Sequence, residues 1–129
     1  MIEWGTPPPP PLKIGTRTII AGSRNVHDPK HLHAALASCG WVPTTVISGT
    51  AQGADMLGEQ WARENNIPLR RFPADWNQYG RSAGHRRNVE MAENADALIA
   101  LWQGESRGTA DMIRVARWKG LRVFVQIVP

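Results

Sequence analysis

A chain of 129 residues, 42% hydrophobic and 20% charged, has the composition of an ordinary globular protein and room for one core of modest size, which excludes a second domain of similar bulk. No apolar run reaches the length of a membrane-spanning helix, and a lone cysteine, Cys39, excludes an internal disulfide. The formal net charge of +4 is compatible with an acidic partner but does not name one, because the basic residues are scattered rather than gathered in a tract.

The opening residues, Met1 to Thr6 and then five prolines from Pro7 to Pro11, have neither the basic end nor the apolar centre of a signal peptide. Proline fixes φ and offers no N–H to a sheet. Residues 1–13 are therefore expected to be a flexible proline-rich leader, residues 14–129 the folded domain, and the protein cytoplasmic, with no membrane partner. Thr16–Ala21 reads as a first strand, with Gly22, Ser23, Arg24 and Asn25 as the loop after it. Asp28 before Pro29 makes a good helix start and Gly40 a good stop, which predicts a helix over Pro29–Cys39, with Cys39 a buried small hydrophobe at its end.

Thr45–Ser48 is the second strand, and Ala54, Leu57, Trp61 and Ala62 then recur at helical spacing up to Asn65. Between them lies Ser-Gly-Thr-Ala-Gln-Gly-Ala-Asp, residues 48–55, the layout of a phosphate loop. Gly49 and Gly53 can take positive φ, and the free N–H groups of the helix behind them point back at an anion. A turn that merely reverses the chain looks the same, so the motif needs companions.

Pro68–Phe72 reads as a short third strand, and Pro73–Ser82, aperiodic and rich in aromatics, as a structured binding loop. A helix follows over Ala83–Asn94, with Arg86, Arg87 and Asn88 near its start. Ala97–Trp102 is almost wholly apolar, as a central strand covered on both faces should be. Gln103–Gly108 forms the next loop, Thr109 caps a helix to about Lys119, Gly120 ends it, and Arg122–Val128 is the last strand. This alternation predicts a three-layer α/β/α fold with a mostly parallel sheet of about five strands.

Right-handed crossovers put every strand-to-helix loop at one sheet edge, where open α/β sheets bind ligands. That edge gathers the hydroxyls of Ser23, Thr50, Ser106 and Thr109 and the cations of Arg24, Arg87 and Arg107, a set suited to a phosphorylated ligand. Trp76 and Trp102 flank the expected cleft and offer faces for a base, although Trp is also ordinary core filler, the fate expected of Trp102. Asp55 and Asp111 sit in first turns of helices, where the helix dipole favours them with or without a ligand. Glu105 is the only loop acid near the cleft. His27, His31, His33 and His85 lack metal-ligand spacing, so neither a metal nor a cofactor beyond a nucleotide-like ligand is expected.

Four segments together carry a resemblance: residues 48–55, Ala-Asp-Trp with Tyr-Gly-Arg-Ser-Ala-Gly (74–84), Arg-Asn-Val-Glu-Met (87–91) and Trp-Gln-Gly-Glu-Ser-Arg-Gly-Thr (102–109). They resemble the YspA-type, cpYpsA-related (YAcAr) branch of the SLOG superfamily over nearly everything from Thr16 onward. The resemblance implies a Rossmann-like fold that binds a nucleotide or an ADP-ribose-like ligand as sensor, carrier or sequestering protein, through Gly22, Ser23, Arg24, Gly49, Thr50, Gly53, Asp55, Trp76, Arg87, Gly108 and Thr109. Members of the superfamily often pair through helices, which implies a homodimer.

Two further resemblances imply alternatives. The chain is similar to the LOG-type phosphoribohydrolases, which cleave an N-glycosidic bond, at Arg87 with Met91 and at Gly108 with Thr109. It departs where a Gly-Gly pair is replaced by Glu105 and Ser106, and where Met112 occupies the place of the catalytic Glu; a thioether can neither stabilise an oxocarbenium charge nor activate water. Asp111, about 100° round the helix from Met112, Glu105 and Arg87 remain as candidate catalytic residues. The DNA-processing DprA proteins, which bind single-stranded DNA, are resembled at Ser48, Gly49, Ala51, Gly53 and Asp55. A nucleic-acid track would draw on Arg81, His85, Arg86 and Arg87 with Trp76 and Tyr79, and ranks second to nucleotide binding.

Overall fold

The computed structural model describes residues 16–129; the proline-rich leader, and the expected start of the domain at residue 14, lie outside the described residues. Five strands, β1 (Arg17–Gly22), β2 (Thr45–Ser48), β3 (Leu69–Arg71), β4 (Ala97–Trp102) and β5 (Arg122–Ile127), form one all-parallel sheet in the order β3-β2-β1-β4-β5. Around it lie α1 (Pro29–Ser38), α2 (Ala54–Glu64), α3 (Trp76–Tyr79), α4 (Ala83–Glu93) and α5 (Arg107–Trp118). The expected Rossmann-like, three-layer α/β architecture is therefore what the chain adopts. No helix among the described residues is long and apolar enough to cross a membrane.

The layers follow from the two-residue period of the strands. Ile20, Val46, Ile99 and Leu101 point to one face, where they meet Leu32 and Ala35 of α1 and Ala54, Leu57 and Ala62 of α2. Their neighbours Ile19, Ile47, Leu98 and Ala100 point to the other, against Met91 and Ala92 of α4 and Met112, Ile113 and Ala116 of α5. A strand sandwiched this way needs apolar side chains at every position, which is why β4 reads as a continuous hydrophobic run. The register pairs Ile19 with Leu98 and Ile20 with Ile99 on one side of β1, and Thr18 with Val46 on the other.

Local chemistry sets most boundaries. The Asp28 side chain accepts the Lys30 N–H at 3.0 Å with Pro29 in the first turn, so α1 starts where its sequence says. Cys39 is buried and its thiol donates to the Trp41 carbonyl at 3.1 Å, the behaviour of a small core residue. Two expectations need correcting. Pro73–Ser82 is not wholly a loop: Asp75 accepts the Gln78 N–H at 3.1 Å and caps α3, followed by a 3-10 turn at Gly80–Ser82. Thr109 is not the cap of α5 either; the cap is Ser106, whose hydroxyl accepts the Thr109 N–H at 3.2 Å, so the helix begins three residues earlier, at Arg107.

In the chain, β1 leads outward to β2 and β3, and the path then returns across the sheet to β4 and β5. The carboxyl ends of β1 and β4 thus flank the point where the winding reverses, and the two loops part there to leave a crevice. Close packing of α2 on β1 holds one side of it: a Cβ added at Gly58 would lie 2.8 Å from both Cβ and Cγ2 of Ile20. Helix propensity alone would make Gly58→Ala stabilising by about 1 kcal/mol. Because Ile20 is branched at the contact and cannot swing away, we expect the reverse, a loss of about 1 kcal/mol or more in urea denaturation.

Candidate anion-binding cleft

The crevice is a cleft of about 280 Å³. Ala21, Gly22 and Arg24 line it from β1 and its loop, Ala51 and Asp55 from the turn after β2, Arg87, Asn88 and Met91 from α4, and Ser106, Arg107, Gly108, Thr109 and Met112 from α5 and its cap. Three guanidinium-bearing residues from three separate segments, and the first turn of α5, thus surround one space. This is the setting in which an anion is favoured.

The turn after β2 is built under constraint. Thr50 has φ of 67°, a left-handed conformation that is unfavourable for a β-branched residue. It is held there by a buried chain of hydrogen bonds: the Thr50 N–H donates to Ser48 Oγ at 3.0 Å, and Ser48 Oγ donates to Glu59 Oε2 at 2.7 Å. Glu59, 1% exposed, is fixed in turn by Arg63 at 2.9 Å and Arg71 at 3.2 Å. Gly53, with φ of 77°, packs against the backbone of Ser23 and Arg24 so closely that any Cβ would collide with their carbonyl groups. This contact lets the loops after β1 and β2 meet, and the Ala54 N–H donates to the Ser23 carbonyl at 3.3 Å.

Arg87 and Asp55 face each other across Gly49. A Cβ at Gly49 would lie 2.8 Å from Arg87 Nη1 and 2.9 Å from Asp55 Oδ2, so the missing side chain is what makes room for both. The Arg87 guanidinium donates to the Gly49 carbonyl, and its Nε to Asn88 Oδ1 at 3.0 Å. Burial lowers its pKa, partly offset by the Asp55 charge. Asp55 is 5% exposed and accepts the Ala51 N–H at 3.1 Å. Burial pushes its pKa up from 3.8 to about 6, against the pull of the Ala51 N–H and the Arg87 charge.

On the opposite wall, Asn88 Nδ2 donates to the Gly108 carbonyl at 3.3 Å and to Asp111 Oδ2 at 3.0 Å, tying α4 to the start of α5. His85 Nδ1 lies 3.0 Å from the same carboxylate and Arg114 Nη2 2.7 Å from it. Burial opposes the Asp111 charge, but these hydrogen bonds from Asn88, His85 and Arg114 outweigh it and hold the pKa below the ordinary value. Asp111 is thus engaged in a staple between helices and is not among the residues lining the cleft, while Met112, 1% exposed, is. Glu105 is exposed in its loop and does not line the cleft either.

Of the expected ligand residues, Gly22, Arg24, Asp55, Arg87, Gly108 and Thr109 line the cleft, and Gly49, Thr50 and Trp76 line a second hollow of about 130 Å³ that shares Arg24, Ala51 and Arg87 with it. Ser23 and Gly53 lie behind both. Ser23 is a buried knot: its N–H donates to the Leu101 carbonyl at 2.9 Å and its Oγ accepts the Gln103 N–H at 3.1 Å. Trp102 does not flank the cleft. Strand parity turns it, like Leu98 and Ala100, toward α5, where it lines a separate hollow with Ala110, Ile113, Arg114 and Arg117. Reading the residues alone missed Ala51 and the brace at Glu59. The spacing of Asp55, Glu59 and Arg63, four apart on one helical stripe beside apolar residues, was the available sign of the brace.

The chain matches the YspA, cpYpsA-related SLOG family over residues 16–79, which takes in β1 through α3 and stops short of Arg87. The Gene 61 protein of Mycobacterium phage D29 is 35% identical in a comparison spanning 84% of this chain and 94% of the phage protein. Among solved structures, DNA processing protein A (DprA) from Streptococcus pneumoniae is similar with a TM-score of 0.66 at 15% identity, over 87% of this chain and 50% of that one. At that identity the likeness is one of fold, and this chain spans half the length of that protein.

The raised pKa of Asp55 sets a pH dependence. In the folded state the carboxyl binds its proton up to about pH 6, whereas the unfolded chain releases it near 3.8, so this group makes stability fall as pH rises between those values. Asp55→Asn keeps an oxygen for the Ala51 N–H and removes the titration. Urea denaturation should show the variant gaining on the native protein from pH 4 to 6.5, by on the order of 2 kcal/mol, and then holding level; parallel curves would contradict the assignment.

Proposed function

The chain belongs to the YspA, cpYpsA-related SLOG family, and from that premise we propose that it binds a nucleotide or nucleotide-derived ligand, of the ADP-ribose kind, at the cleft beyond the carboxyl ends of β1 and β4. The observation that supports this reading best is the convergence of Arg24, Arg87 and Arg107 with the first turn of α5 around one space at the point where the sheet reverses its winding. Phosphate groups meet the guanidinium groups and the Gly108–Thr109 turn. Binding as sensor, carrier or sequestering protein fits the floor of the cleft, where Met91 and Met112 offer no group for proton transfer. The acid beside Met112, Asp111, is occupied by His85, Asn88 and Arg114.

Isothermal titration of the full chain with a panel of nucleoside mono- and diphosphates, ADP-ribose and NAD tests the proposal. At least one member should bind, and Arg87→Ala should weaken it by about 10-fold or more, the usual effect of losing a hydrogen bond to a charged group. Arg87 also holds the Gly49 carbonyl, so Arg107→Ala, with its exposed side chain, provides the cleaner variant and should weaken binding too. No binding across the panel, or indifference to both substitutions, would count against the reading.

A second reading, single-stranded nucleic acid, is favoured by one feature outside the cleft. Trp76 and Tyr79, 55% and 40% exposed, stand on α3 beside Arg81 and Arg86, and the Arg86 guanidinium lies 4.5 Å from the centre of the Tyr79 ring. Stacking faces next to cations suit an unpaired strand. A gel shift with a single-stranded oligonucleotide should then appear at low salt and fall steeply as salt rises; its absence at low salt removes this alternative.

A further inference from the structure

The second hollow deepens the proposed function and rests on it. Arg24, Ala51 and Arg87 are a shared wall, with the 280 Å³ cleft on one side and the 130 Å³ hollow on the other. The hollow is closed by Gly49 and Thr50 from the constrained turn and by Trp76 at the start of α3. The six-membered ring of Trp76 lies against the first turn of α4, where a Cβ at Gly84 would sit 3.3 Å from its Cη2. One edge of the indole is therefore seated, yet the side chain stays 55% exposed beside two guanidinium groups. A large aromatic surface fixed in place and left open to solvent at the margin of an anion-friendly cleft is a ready stacking face.

We propose that this hollow is the base subsite of the same ligand: the anionic part lies in the cleft, the sugar crosses the Arg24–Ala51–Arg87 wall, and the base stacks on Trp76. The chemistry of the lining makes the subsite indifferent to which base it holds. Its polar side chains are the Thr50 hydroxyl, the Trp76 indole N–H and two guanidinium groups that the phosphate engages from the cleft side, with no carboxylate or side-chain amide left to pair with the complementary donors and acceptors of a base edge. Asp75, next to Trp76 in the chain, has its carboxylate on the Gln78 N–H. Stacking area then decides affinity, so purines bind more tightly than pyrimidines and the two purines alike.

The experiment titrates AMP, GMP, CMP and ribose 5-phosphate into the full chain and into its Trp76→Ala and Trp76→Phe variants. In the native protein AMP and GMP should agree within about 3-fold, exceed CMP, and exceed ribose 5-phosphate by about 10-fold. Trp76→Ala should bring AMP down to the level of ribose 5-phosphate while leaving ribose 5-phosphate itself unchanged, which also shows that the variant is folded; Trp76→Phe should restore most of the difference. The subsite is overturned if Trp76→Ala leaves AMP unaffected, if it weakens AMP and ribose 5-phosphate equally, or if the native protein separates AMP from GMP by more than about 10-fold. If the native protein binds neither AMP nor ribose 5-phosphate but does bind another nucleotide of the wider panel, the subsite alone is overturned; silence across that whole panel removes the cleft reading, and the subsite with it.

Discussion

Arg87 joins the two halves of the site. Its guanidinium reaches back 38 residues to the Gly49 carbonyl, from the first turns of α4 to the turn after β2, and faces Asp55 in the narrow space that the glycine leaves. Burial makes a cation unfavourable, but arginine starts so high that it remains charged. Its neighbour is the more adjustable partner: a carboxyl that titrates near 6 is largely ionised at neutral pH and takes up a proton readily when an anion approaches. A carboxylate of ordinary acidity at this position would keep its negative charge to lower pH and offset more of the cationic character that Arg24, Arg87 and Arg107 give the cleft.

The opposite wall obeys a different logic. Asn88, Asp111, His85 and Arg114 make a network between α4 and α5, and its polar groups serve one another rather than the cavity. A catalytic carboxylate needs a free face toward the substrate, and Asp111 spends its oxygens on three neighbours. Met112 occupies the place next to it with a side chain that fills space and carries no proton. The geometry of this wall thus ties the start of α5 to α4.

Much of the fold could be read from the chain because it depends on local patterns. The unbroken apolar run of β4 announced a strand covered on both faces, and Asp28 with Pro29 announced the start of α1. The same kind of signal was available at Asp75 and Ser106, but each had a competitor: the aromatics of residues 73–82 suggested a loop, and Thr109 offered a second hydroxyl three residues beyond the true cap. The gathering of Arg24, Arg87, Gly108 and Thr109 followed from right-handed crossovers alone. What stayed hidden was the pairing of side chains across long separations, such as Arg87 with Gly49, and the difference between lining a cleft and bracing it. Ser23, Gly53 and Glu59 are bracing residues, and no periodicity distinguishes them from contacts.

The bracing of the turn after β2 has one further property. Ser48, Thr50, Ala51, Asp55, Glu59 and Arg63 all lie within sixteen consecutive residues, and Arg71 joins their hydrogen-bond chain from beyond α2, as Arg87 joins the turn at Gly49. Contacts so near in sequence form without waiting for distant strands to arrive. The turn after β2 is accordingly braced largely by its own neighbours in sequence, within the stretch matched by the family, and Arg87 on α4 is the later residue that locks it to the second half of the sheet.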